Sequence, residues 1–174
     1  MDALVTRAPE GFVEAFDALL LRAYRVAHRI VPTDQAAEDI AAETLMRAYA
    51  HWRRIGNKPW REGWVVRVAT NLAIDAVRKM RPLSDGEIAD GAAPDEQDSI
   101  AIRLALAAAL RALPRRQREA VALRYLAGFS EAEAATALRI STGSVKTHLH
   151  RGLGSLRVAL QGLAPDDLKE ALDV

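Results

Sequence analysis

The sequence predicts an all-α fold, and three observations carry that expectation. Ala, Leu, Arg and Glu dominate a chain of 174 residues that is 50% hydrophobic, a composition that favours helix. Apolar residues recur every three or four positions, and strand-like alternation is scarce. The stretch Gly128 to Leu160, GFSEAEAATALRISTGSVKTHLHRGLGSLRVAL, adds two helix caps on either side of a short break.

Taken in chain order, helices are expected near Glu10 to Val31, Asp34 to Arg54 and Glu62 to Met80. Pro32-Thr33-Asp34 supplies a stop and a cap between the first two, and the loop Ile55 to Arg61 separates the last two. Helices near Ser99 to Leu113 and Pro114 to Ala127 follow, with Pro114 suited to a first helical position. These two are expected to pack beneath the next unit. Ser130 begins that unit as a capping box, its hydroxyl meeting the Glu133 amide while the Glu133 carboxylate reaches back; Gly128 just before it suits a helix end. After a break at Arg139 to Ser141, Ser141 or Thr142 caps a last helix. Its Val145, Leu149, Leu153, Leu156 and Leu160 form a buried stripe, and Lys146, Thr147, His150 and Arg151 form a polar one. This pattern reads as a helix-turn-helix whose basic second helix enters the major groove.

Charge is unevenly divided along the chain. Residues 1–80 hold 12 Lys and Arg against 10 Asp and Glu, residues 81–100 hold 1 against 6, residues 101–160 hold 10 against 3, and residues 161–174 hold 1 against 4. A positive field concentrated on the helix-turn-helix half suits nucleic acid. The acidic segment Pro82 to Ser99, PLSDGEIADGAAPDEQDS, has the composition of an extended linker. Two small helical domains are therefore expected, residues 1–81 and 100–162, joined by a linker at 82–99 and followed by a short tail at 163–174. There is no cysteine, which excludes disulfides and thiolate metal sites. The N-terminus lacks a signal-peptide pattern, and the longest apolar run, Leu104 to Leu110, is far short of a membrane span. A cytoplasmic protein without membrane insertion is the expectation.

The first half offers two surfaces. On the helix from Asp34 to Trp52, the early acids Asp34, Glu38, Asp39 and Glu43 complement the helix dipole. With Ile40, Leu45, Ala48 and Trp52 facing the core, Glu38, Asp39, Ala42 and Met46 remain as a mixed acidic and apolar strip suited to a basic partner helix. From Arg53 to Arg81, basic residues including Arg54, Lys58, Arg61, Arg67 and Arg78 interleave with Trp60 and Trp64, as single-stranded nucleic acid requires: rings stack on bases, cations follow the backbone, and Asn71 can bond a base edge. At least one of these tryptophans is expected to fill core, and Trp60, in the loop, is the better stacking candidate.

The order of parts, AEDIAAETLMRAY, WVVRVATNLAIDAVRKMR, an acidic linker and LPRRQREAVALRYLAGFSEAEAATALRISTGSVKTHLHRGLGSLR, resembles a bacterial RNA polymerase sigma factor of the extracytoplasmic-function group, from about Phe12 to Leu160. The resemblance implies a region-two-like first domain, a region-four-like second domain, and a linker in place of region three. It implies that Glu38, Asp39, Ala42, Glu43 and Met46 dock on the clamp helices of the largest polymerase subunit, and that Leu113 to Leu126 meets the flap. It implies that Arg54, Asn57, Lys58, Trp60, Arg61, Trp64, Arg67, Asn71 and Arg78 open and read the −10 element, and that Ser144, Lys146, Thr147, His150, Arg151 and Arg157 read the −35 element. Partners would be core RNA polymerase, promoter DNA as duplex and as opened strand, and an anti-sigma protein able to clamp both DNA-reading faces. Two positions depart from the family pattern. Ala42-Glu43 and then Leu45 stand where Gln, an acid and an aromatic are common, which predicts a weaker clamp contact, and Ala134 stands where a larger aliphatic is usual, which predicts looser packing.

The alternative is a stand-alone helix-turn-helix regulator acting without stable polymerase association. The basic and aromatic segment Arg53 to Arg81, which a duplex-only reader does not need, and the absence of a dimer heptad stand against it. No catalytic residues, cofactor or metal site are expected: the carboxylates lack a Glu-x-x-His partner, there is no Gly-rich phosphate loop, and His148 and His150, two apart, cannot share a helical face.

Overall fold

Caps and breakers written into the sequence cut the chain into short helices. In the computed structural model, which describes residues 8–80 and 94–161, every regular element is helical. Helix α1 spans Phe12–His28, α2 Asp34–Ala50, α3 Trp52–Ile55 and α4 Arg61–Lys79; α5 follows at Pro94–Ala112, α6 at Arg115–Val121, α7 at Glu131–Leu138 and α8 at Thr142–Ala159. A π-helical turn, Ala122–Leu126, continues α6. The acidic segment at residues 81–93 and the tail from residue 162 lie outside the described residues.

Thr33 caps α2 by accepting from the Ala36 amide at 3.3 Å. Helices α1, α2 and α4 pack on one another around Leu19, Val26, Ile30, Leu45, Val65 and Val66, all buried. Trp52 closes the base of this bundle, its indole N–H donating to the Glu10 carbonyl at 2.8 Å. Phe12 stands edge-on to both Trp52, at 4.9 Å, and Tyr49, at 5.1 Å, the arrangement aromatic quadrupoles favour.

The second half buries Leu106, Leu110, Val121, Leu123, Leu126 and Val145. The capping box is present as read: the Glu133 amide donates to the Ser130 hydroxyl at 3.2 Å, and the Ser130 amide donates to the Glu133 carboxylate at 2.7 Å. Arg139 takes the left-handed conformation at φ 58° and ends α7. Ser141 caps α8 through the Ser144 amide at 3.1 Å.

Several boundaries differ from the sequence expectation, each for a local reason. The helix expected from Asp34 to Arg54 breaks at His51, whose Nδ1 lies 2.9 Å from the Arg47 carbonyl. Helix α5 begins at Pro94, inside the segment read as linker, and proline is well tolerated in a first turn. It also packs on α4 as well as on α8, and Arg103 donates to the Val31 carbonyl at 3.3 Å. It thus joins the two halves rather than only underlying the helix-turn-helix. The helix expected at Pro114 to Ala127 widens into the π-turn, where the Ala127 amide reaches the Ala122 carbonyl at 3.0 Å. Among the described residues, no helix is long and apolar enough to cross a membrane.

Candidate nucleic-acid interface

Helix α8 presents the first surface. Val145, Leu149, Leu156 and Leu160 are buried, Leu153 is half-buried, and Gly152 joins the buried face. A Cβ on Gly152 would lie 2.9 Å from a Val121 methyl, so the absent side chain lets α8 approach α6 closely. The burial of this face leaves Lys146, Thr147, His150, Arg151 and Arg157 exposed and Ser144 half-exposed. Ser144 and Thr147 are partly engaged locally, the Ser144 hydroxyl with Ser141 at 2.9 Å and the Thr147 hydroxyl donating to the Gly143 carbonyl at 3.0 Å. Lys146 lies 3.6 Å from Glu131 of α7, while Arg151 has no carboxylate within ion-pair distance among the described residues. The face is thus cationic and open, with a recognition helix held on α7 by the capped turn.

The second surface is built from α3, the loop after it and the start of α4. Arg54, Asn57, Lys58, Asn71 and Arg78 are exposed, whereas Trp60, Arg61, Trp64 and Arg67 are half-buried. Trp60 and Trp64 both pack against the core while lining an open cleft of about 610 Å³ together with His51, Arg54 and Arg67. The His51 and Trp64 rings are neighbours, tilted by 38° with centres 5.8 Å apart. Arg61 is spent on the scaffold, donating to the Gly56 carbonyl at 2.6 Å and lying 5.5 Å from the centre of the Trp52 ring. Arg78 pairs with Asp75 at 3.3 Å, leaving the outer end of α4 half-compensated.

The far wall of this cleft comes from the second half: Arg116 of α6 and Ala137, Leu138 and Arg139 at the end of α7. In the sequence Arg139 figures only as the start of a break and Arg116 and Glu119 only within the Leu113 to Leu126 flap segment, with nothing to place them beside the tryptophans. That carboxylate is 5% exposed and accepts from Arg115 at 2.9 Å and Arg116 at 3.1 Å, with Arg67 at 3.9 Å. Burial pushes the Arg67 guanidinium below its usual range, partly countered by Glu119 and reinforced by Arg115 and Arg116. The cleft therefore gathers arginines from both halves, two of which, Arg67 and Arg116, also meet the buried Glu119. An available signal was Gly63, a glycine inside a helix, which costs about 1 kcal/mol against alanine and so points to close packing; here its neighbour is Ala137 of α7.

The third surface lies on α2. Ile40, Leu45, Ala48 and Trp52 are buried as expected. Glu38, Asp39, Ala42 and Met46 are exposed, Met46 at 64%, and Glu43 is half-exposed and bonded to Arg47 at 2.8 Å. Met46 is thus an apolar side chain displayed among carboxylates.

Known proteins share both the sequence and the order of these parts. Residues 15–82 match the family described as Sigma-70 region 2, and residues 103–166 match Sigma-70, region 4. The chain is 30% identical over 170 residues to the ECF RNA polymerase sigma factor SigW of Bacillus subtilis, covering 88% of this chain and 91% of that one. It is 34% identical over 166 residues to the ECF RNA polymerase sigma factor SigL of Mycobacterium tuberculosis, covering 86% and 93%. Against the RNA polymerase sigma-E factor of Streptomyces avermitilis it is 34% identical over 147 residues, covering 83% and 80%. The fold is similar to that of CnrH, solved in complex with the cytosolic domain of CnrY, at a TM-score of 0.57 and 21% identity, over 88% of this chain and 89% of that one.

Proposed function

The chain belongs to the extracytoplasmic-function RNA polymerase sigma factors, transcription initiation subunits that direct core polymerase to promoters, and from that premise we propose how its surfaces divide the work. The domain limits are read as 1–81 for the half that binds polymerase and the −10 element, and 100–162 for the half that binds the −35 element. Ser144, Lys146, Thr147, His150, Arg151 and Arg157 read the −35 duplex from α8. The exposed cations of that helix supply the salt-dependent share of affinity, and its N-terminal half supplies base contacts.

Arg54, Asn57, Lys58, Trp60, Trp64, Arg67, Asn71 and Arg78 engage the opened −10 strand. The half-buried tryptophans beside exposed cations support this reading, because a ring anchored on one side offers its other face to an unstacked base. Arg61, tied to Gly56 and Trp52, acts by holding the loop that carries Trp60. Glu38, Asp39, Ala42, Glu43 and Met46 dock on the polymerase clamp helices, and the exposure of Met46 among acids carries that assignment. Leu113 to Leu126 meets the flap. The location is cytoplasmic, where the polymerase is. An anti-sigma protein would act by covering these same faces.

Co-elution with bacterial core RNA polymerase in size-exclusion chromatography tests the proposal. A stoichiometric complex, weakened by substitution on the α2 strip, is expected. A chain that binds duplex DNA alone and never joins the polymerase would overturn the polymerase assignments.

A further inference from the structure

The α4 face assigned to the −10 strand is packed against the half assigned to the −35 duplex. A Cβ placed on Gly63 would overlap the Ala137 methyl, and the three nearest atoms it would meet all belong to Ala137 and Leu123 of the second half. Beside this contact, Arg67 turns inward to Glu119. One turn before it, Glu62 pairs with Arg22 at 2.9 Å, and Arg22 in turn lies 4.9 Å from the centre of the Phe129 ring. Arg29 donates to the Leu126 carbonyl at 2.7 Å and to that of Tyr125 at 3.2 Å, satisfying acceptors at the end of the π-turn. The contact is therefore specific: a missing side chain in one half receives a methyl from the other, and arginines of the first half meet carbonyls and a carboxylate of the second.

We propose that this contact is a self-inhibitory interface, a closed state of the free subunit in which α7 covers the α4 surface and Arg67 is withheld from the −10 strand. The proposal rests on the assignment of α4 to that strand. In the closed state Arg139 and the end of α7 form one wall of the cleft that Trp60 and Trp64 line, so the second half narrows the approach of a strand to those rings. The means of release is built in. The contact combines apolar packing of Gly63 against Ala137 and Leu123 with ion pairs and carbonyl bonds for which water competes once the halves part, and the acidic segment between the halves is long enough in sequence to let them part. Polymerase or DNA that binds the separated halves draws the equilibrium open, and the apparent affinity of the free subunit falls by the fraction that is closed.

Gly63→Ala tests this directly, because alanine favours helix within α4 while its methyl collides only with the other half. The full-length wild-type chain should scatter X-rays as a compact particle with a radius of gyration of about 16 Å. The Gly63→Ala chain should be larger, with unchanged helical circular dichroism. It should also bind a single-stranded oligonucleotide of randomised sequence about tenfold more tightly if nine-tenths of the wild type is closed. The double variant Gly63→Ala, Ala137→Gly moves the methyl across the contact and should restore both compactness and weak binding. A wild-type chain that is already extended, or an opened variant with no gain in single-strand binding, overturns the proposal. Failure of the wild type to join core polymerase overturns the underlying functional reading instead, and is seen separately from the scattering.

Discussion

Arg67 and Glu119 meet across the two halves of the chain, 3.9 Å apart, with the carboxylate 5% exposed and the guanidinium side chain 25% exposed. Glu119 is also the common acceptor for Arg115 and Arg116, so it offsets part of the mutual repulsion of the three arginines. Replacing it by glutamine keeps the shape and removes the charge. Because Arg115 and Arg116 remain largely in water, the loss is discounted to about 1–2 kcal/mol. The midpoint of urea unfolding of the full chain should fall accordingly, and an unchanged midpoint would show that the cluster contributes no net stability.

The capping box of α7 predicts a pH effect of definite sign. Hydrogen bonds from Ser130, first of its side chain and then of its backbone, hold the Glu133 carboxyl below the usual carboxylate range. A group whose folded value lies below its unfolded one stabilises fully above the ordinary range, and the contribution is lost as pH falls through the depressed value. The stability difference between wild type and Glu133→Gln should therefore be present at neutral pH and shrink on acidification through that window. Ser130→Ala should cost about 1 kcal/mol at neutral pH, read by thermal or urea unfolding. A difference that grows on acidification would reverse the assignment.

How much of this was legible in sequence depends on the range of the interaction. Ser130, Glu133 and Ser141 announce their caps because each accepts from an amide only three residues away, Ser130 and Ser141 from one further on and Glu133 from one further back. The exposed strip of α2 was legible because Ile40, Leu45 and Ala48 fix the buried face by periodicity alone. The cleft was not, since Arg67 and Glu119 are 52 positions apart and nothing in local spacing pairs them. The break at His51 and the π-turn at Ala122–Leu126 leave no strong composition signal either. Glycines lie between these cases: Gly152 and Gly154 look alike in sequence, yet a Cβ on the first meets Val121 at 2.9 Å while one on the second meets nothing within 4 Å. Gly152→Leu should therefore destabilise by about 1–3 kcal/mol through overpacking. Gly154→Ala should stabilise by about 0.5–1 kcal/mol through helix propensity. Equal effects at the two positions, measured by urea unfolding, would refute the packing difference.

The α2 strip makes a prediction about polymerase that is separable from folding. Met46 is 64% exposed, so replacing it leaves the core untouched. Met46→Asp adds charge where an apolar anchor is assigned, and a loss of about tenfold in affinity for core polymerase is the size expected of a central contact residue. Titration of labelled chain with core enzyme measures it. Unchanged affinity, with unchanged circular dichroism, would move the docking surface off this face.

On α8 the two cations nearest the centre of the exposed face differ in what already holds them. Lys146 lies 3.6 Å from Glu131, which restrains its ammonium and offsets part of its charge. Arg151, one turn and one residue further along, is exposed and can present two parallel donors to a guanine edge. Arg151→Ala should weaken binding of the polymerase-bound subunit to −35 duplex by about 1–3 kcal/mol and relax sequence preference at one base position. Lys146→Ala should cost less, equally on all sequences, and lower the salt dependence. Binding measured across a −35 library at two salt concentrations distinguishes the roles: a loss for Arg151→Ala that is uniform over the library assigns it to the phosphate backbone.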